Sequence, residues 1–227
     1  MSKVYSAARQ KPAALLVFLE NVGHISGLHL PGWAMQAIDF TTEEYAKLLL
    51  RLLGAHRRYG RVVVLEDQAA TGKSLAQALL ALSRTHTVDL LLLVHGKERQ
   101  LVGYRAADHV DGATWEYLRT LYRRDRTLLD LRMVYGLNCY GASLAETWLG
   151  LGAQAVNGAV GVNWFPEPSL STFLSNWLGG RPFSHAVGRA NARANRWWGR
   201  LLGDADHPWI ASSRQMIYGV RDITIDT

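Results

Sequence analysis

Five short runs, 13–19, 61–66, 88–94, 131–137 and 154–162, are apolar at most positions and are separated by stretches with apolar residues at helical spacing. A strand with one face in water alternates apolar and polar residues. One that is apolar throughout has to be covered on both faces. Strands that alternate with helices are joined by crossovers, so neighbours run parallel and the helices cover both sides of the sheet. The pattern predicts an α/β fold: a three-layer α/β/α sandwich with a mostly parallel central sheet, as one domain over residues 1–227.

The helices carry their own punctuation. Thr41 or Thr42 is placed to cap a helix over TTEEYAKLLLRLLGAHRRYG, with acidic residues in its first turn, basic ones near its end and Gly60 as its stop. Leu75, Ala78, Leu79 and Leu82 mark an amphipathic helix in SLAQALLALS. Further helices are expected from about Ala113 to Tyr122, over ASLAETWLGLG, SLSTFLSNWLGG and SHAVGRANARANRWWGRLLG. KERQLVGYRAADHVDG reads as a hairpin, NVGHISGLHLPGW and NWFPEPS as loops, and SRQMIYGVRDITIDT as a closing segment with an edge strand.

With 25 Lys and Arg against 19 Asp and Glu, the chain has a formal net charge of +6. The arginines cluster at 123–126 and 188–200, on segments of helical spacing. That placement favours a solvated face over a nucleic-acid surface. No apolar run approaches the ~20 residues of a membrane span. The first residues lack the apolar stretch and small-residue cleavage site of a secretory signal. One cysteine forms no intrachain disulfide, and a reducing, cytoplasmic setting is expected.

Several motifs compete for the chemistry. TGKS, Thr71 to Ser74, follows a strand and opens a helix as a phosphate-binding loop does, but Asp67 stands where that loop needs its first glycine. A carboxylate there repels phosphate, and the next strand ends in Val94-His95 rather than an Asp for magnesium. Thr71 as a helix cap with Lys73 in solvent is the preferred reading. LNCYG is a poor nucleophile elbow, because Leu137 replaces its first glycine and only His185 and His207 follow as bases. His24, His29, Asp108, His109 and Asp111 lack the paired spacing of metal ligands, so no metal or other cofactor is expected.

Cys139 is the single thiol, at the end of one apolar run and just before a helical stretch; His95-Gly96 ends the preceding run. A buried structural thiol is the default for a free cysteine. Two parallel strands ending in His and Cys, each followed by small residues, instead set a base beside a nucleophile where loops meet substrate. Trp164 and Phe165, leaving the fifth run, are placed to line a pocket.

With VVVLEDQAATGKSLAQALLAL before VDLLLLVHG, then MVYGLNCYGASLAETWLGLGAQAVNGAVGVNW, FLSNWLGGRPFSHAVGRAN and MIYGVRDITI, the chain resembles the caspase-like cysteine peptidases. That clan includes caspases, metacaspases, legumains, gingipains, separases and bacterial CHAT domains, and the likeness is nearest to the last. The resemblance implies His95 as catalytic histidine, Cys139 as nucleophile, the backbone N–H groups of Gly96 and Cys139 as oxyanion donors, and a protein or peptide substrate. It also admits an activating or regulatory protein partner. Two departures stand out: Asn138 rather than a small residue precedes Cys139, and Tyr140 to Ser143 matches no one branch. Glu167, Asp108 and Asp111 are the carboxylates near that edge, and they imply a preference for a basic residue before the scissile bond. Beside this endopeptidase reading stand an inactive scaffold of the same fold and a nucleotide-binding protein using Thr71 to Ser74.

Overall fold

The computed structural model describes residues 11–20 and 44–227. Thr41, Thr42, His24 and His29 lie outside them. Six strands form the main sheet: β1 (Ala13–Glu20), β2 (Arg61–Leu65), β3 (Thr87–Lys97), β6 (Leu131–Gly136), β7 (Ala155–Ala159) and β8 (Gln215–Gly219), in the order β2-β1-β3-β6-β7-β8. All pairings among the first five are parallel. β8 is an antiparallel edge on β7, the strand expected in the closing segment. Beyond the sheet's edge, β3 turns back into β4 (Gln100–Val102), which pairs with β5 (His109–Val110), and this is the expected hairpin.

The pleat sends alternate residues of each strand to opposite faces. Leu16 and Phe18 of β1, with Leu90 and Leu92 of β3, pack under α3 (Gly72–Ser83), α4 (Gly112–Arg124) and α5 (Ala145–Gly150) through Leu75, Leu79, Trp115 and Trp148. Leu15, Val17 and Leu19, with Leu91 and Leu93, pack on the other face against helix α1 (44–52), α6 (Ser169–Leu178) and α7 (Phe183–Leu202). Leu50, Phe173, Trp177 and Phe183 supply that layer. Each such side chain stabilises the fold by about 1.5–3 kcal/mol when fully buried. The architecture is the α/β/α sandwich expected from the apolar runs. Among the described residues no helix is long and apolar enough to cross a membrane.

Local boundaries differ from expectation where glycine acts. The helix expected to run on to Gly60 is interrupted at Gly54, which adopts the left-handed conformation (φ 73°) before a short α2 (Ala55–Arg58). A left-handed glycine ends a helix because it turns the chain out of the i→i+4 ladder at little cost. ASLAETWLGLG likewise begins as a 3-10 turn (Gly141–Leu144), and α5 is only the part that follows. A last helix, α8 (Pro208–Ser213), was not expected; Pro208 opens it and His207 Nδ1 accepts from the Trp209 N–H.

Candidate active site

Parallel strands bring their carboxyl ends to one edge, and β3 and β6 are neighbours there. Their register pairs Leu92 with Gly136, and the Leu137 N–H still donates to the Leu92 carbonyl (3.0 Å). Three residues further along each chain stand His95 and Cys139. The two strand ends are in contact: a Cβ added at Gly96 would lie 2.2 Å from the Cys139 carbonyl oxygen and 3.0 Å from Asn138 Nδ2. Only glycine fits there, and its smallness lets the base-bearing strand close on the thiol-bearing turn.

That turn is held from several sides. Asn138 is buried, and its Nδ2 donates to the Cys139 carbonyl (3.2 Å). Tyr140 sits in the left-handed region (φ 53°, ψ 25°), a conformation that costs a non-glycine residue roughly 1 kcal/mol and gathers at functional sites. Its N–H donates to the Gly161 carbonyl (2.7 Å). Gly141 and Gly158 pack backbone to backbone, since a Cβ on Gly158 would come 2.1 Å from the Gly141 carbonyl carbon. Ser143 Oγ donates to the Tyr140 carbonyl (2.7 Å) and accepts the Arg99 N–H (2.8 Å), so the hairpin after His95 is bonded to the turn after Cys139.

Cys139 is half-buried, and burial pushes its thiol above the ordinary cysteine range. Three backbone N–H groups oppose that shift, those of Asn163, Gly96 and Cys139 itself, each favouring negative charge on the sulfur. The Asn163 N–H lies 3.4 Å from Sγ, and Asn163 Nδ2 donates to the Leu137 carbonyl (2.6 Å). Asn163 therefore fastens the loop after β7 to the cysteine turn through both its main chain and its side chain. Sequence reasoning passed over it for the bulkier residues that follow. A polar residue directly after the fifth apolar run, 154–162, was the available signal.

The remaining candidates are spread around this centre. Trp164 stacks on Trp209 (ring centroids 4.8 Å apart) and Phe165 on Trp198 (3.8 Å), so both rings anchor the 163–168 loop to α7 and α8. Glu167 is half-buried in the same loop; its carboxylate accepts from Ser171 Oγ (2.6 Å), the Ser171 N–H (3.1 Å) and the Tyr45 hydroxyl (3.2 Å). It faces β6 closely enough to add to the rise in the Tyr135 pKa that burial causes. Asp108 and Asp111 do not join it. Asp108 Oδ1 accepts the Gly72 N–H at the start of α3 (2.9 Å), and Asp111 Oδ1 accepts the Ala113 N–H at the start of α4 (3.1 Å). Among the described residues no three His, Cys, Asp or Glu side chains converge as a metal ion would require.

TGKS is built as a capped helix start. Thr71 Oγ1 accepts the Ser74 N–H (3.1 Å), and Lys73 is exposed. The Asp108 carboxylate on the Gly72 N–H occupies the place where a helix start would meet phosphate. Lys73→Ala should therefore change stability by no more than ~0.5 kcal/mol. Melting curves with and without magnesium-ATP should coincide for both proteins; a nucleotide-dependent rise lost in Lys73→Ala would restore the phosphate-loop reading.

No protein-family model matches the chain, and no curated protein sequence matches it. Solved structures do. The Arg specific cysteine proteinase gingipain R superposes with a TM-score of 0.60 at 12% identity, over 94% of this chain and 47% of that one. The complex of the Porphyromonas gingivalis RgpB pro- and mature domains gives 0.54 at 13% identity, over 93% and 48%. The chain spans about half the length of the structures it matches. At this identity the likeness is one of fold alone: the chain shares the caspase-like α/β/α fold of gingipain R.

Proposed function

We propose that the chain is a cysteine endopeptidase in which Cys139 attacks the scissile carbonyl and His95 carries the proton. The observation that supports this most is the meeting of two strand ends: the β3–β6 register leads to His95 and Cys139, and backbone N–H groups gather around the sulfur. Because burial holds the thiol up, the resting sulfur keeps its proton. Neutral imidazole takes that proton as the sulfur attacks, and imidazolium returns it to the leaving amine. Water, activated by the same imidazole, then releases the acyl group from sulfur. The Gly96 and Cys139 N–H groups donate to the oxyanion as it forms, a class of contact worth ~2.7–4 kcal/mol per donor in the transition state.

The substrate class in this reading is a protein or peptide, with Arg or Lys before the cut. Gingipain R is described as Arg specific, and here the half-buried Glu167 lies in the loop that Asn163 ties to the cysteine turn. A carboxylate removed from bulk water pairs well with a guanidinium, which offers charge and two parallel hydrogen bonds. A regulatory protein partner also belongs to the proposal, and the pro- and mature-domain complex of RgpB supports it. Glu167→Gln keeps an acceptor for Ser171 and Tyr45 while losing the charge. It should lower kcat/KM for an Arg substrate relative to a citrulline analogue by about tenfold. An unchanged ratio would remove Glu167 from the pocket and leave the dyad untouched.

Labelling with a peptidyl-arginine acyloxymethyl ketone, followed by mapping of the modified residue, tests the activity itself. Alkylation of Cys139 that depends on His95 is the expected result. A chain that stays unlabelled and cleaves nothing in a mixed peptide library would be an interaction module on the same fold.

A further inference from the structure

We infer that the outer face of α7 is a docking surface for an acidic protein segment that also carries apolar side chains. Arg189, Arg193, Arg196 and Arg200 recur at helical spacing, and at about 100° per residue all four fall within roughly 60° of arc along about 16 Å of axis. All four are exposed, and α7 contains no Asp or Glu to answer them. Among the described residues none of the four forms an ion pair. Four like charges this close repel one another, so the stripe stands to gain from an anionic partner.

The chemistry beside the stripe narrows the partner. Trp197 is 63% exposed and Leu201 68% exposed, one turn apart on one flank of the arginines. Arginine and tryptophan together are the residues that concentrate binding energy at protein interfaces. A phosphate backbone offers Leu201 no apolar contact. A membrane would need the apolar face of the helix, and over its first half that face, Phe183, Ala186, Val187 and Ala190, is inside the core. Arginine's planar fork fits carboxylate pairs, and the flanking Trp and Leu fit aliphatic or aromatic side chains between them. The chain's own residues 1–10 and 21–43 are no match, carrying only Asp39 and Glu43 as acids. The partner is therefore an acidic, amphipathic segment from outside residues 1–227, and the surface stands whether or not the chain cleaves peptides.

Fluorescence anisotropy of a labelled amphipathic peptide with Glu and Leu at helical spacing, titrated with the full chain at low salt, tests this. Saturable binding should weaken as salt is raised. Arg193→Gln/Arg196→Gln and Trp197→Ala should each weaken it by about tenfold or more, with thermal melts unchanged because these side chains are exposed. Three results would overturn the inference: no binding of the peptide, equal binding by the double variant, or tighter binding of a DNA oligonucleotide or of phosphatidylserine vesicles than of the peptide.

Discussion

Cys139→Ala should lower kcat/KM for a cleaved peptide by about 10⁴-fold or more while the melting temperature stays near that of the parent. The nucleophile is lost, but the side chain is small and its hydrogen bond from the Asn163 N–H is long (3.4 Å), so the fold loses little. His95→Ala should cost nearly as much. The double variant should be no worse than either single one, since base and nucleophile act as a unit. The resting site adds a second signature. Burial holds the thiol above the ordinary cysteine value of about 8.5, so iodoacetamide should react slowly with Cys139 at neutral pH. Its rate should still be climbing, by about tenfold per pH unit, where an exposed thiol has levelled off. Full peptide cleavage by Cys139→Ala would end the cysteine-peptidase proposal. Fast alkylation at neutral pH would instead show a preformed thiolate and change only the order of proton transfer.

What could be read from residues alone follows the range of the forces involved. Strands β1, β3 and β6 announce themselves because burial on both faces demands unbroken apolar runs, a local property. The caps are equally local: Asp111-Gly112-Ala113 before a helix is an N-cap pattern, and it explains that carboxylate better than a pocket does. Asp108 could not be read so, because it caps α3 across a fold rather than along the chain. His95 and Cys139 were legible as strand ends, whereas their neighbourhood depends on β3 lying beside β6, a pairing that the sequence pattern leaves open. Asn163 was legible only as a polar residue after the fifth apolar run, and its contact with Cys139 depends on β7 lying beside β6, a pairing that the pattern also leaves open. The left-handed Gly54 could have been anticipated, but Gly60 offered an equally good stop, and only the packing of Ala55 and Tyr59 into the core separates them.

The largest departure from the apolar reading is a buried charge, and it carries the largest expected effect on stability. Asp89 stands in β3 at 0% exposure and Arg132 in β6 at 2%. Arg132 grips both carboxylate oxygens, Nε to Oδ1 at 2.9 Å and Nη2 to Oδ2 at 2.8 Å. Its remaining nitrogen donates to the Ile225 and Thr227 carbonyls (2.6 and 2.9 Å), so the pair also ties the closing segment to the sheet. Tyr59 Oη (2.6 Å) and Trp177 Nε1 (3.2 Å) donate to Oδ2, which completes the shell of the carboxylate. Arg132→Met would leave Asp89 as an uncompensated buried charge and free the 223–227 segment. Breaking one side of such a pair costs about 3–5 kcal/mol. In a chain of this length that corresponds to a fall in melting temperature of roughly 10 °C. Replacing both partners, Asp89→Leu with Arg132→Met, should recover much of the loss, because an apolar pair leaves no orphaned charge. Thermal and urea melts measure the stabilities, and amide exchange at 223–227 reads the segment directly. An Arg132→Met protein within about 1 kcal/mol of the parent would show that water or rearrangement satisfies Asp89 without its arginine.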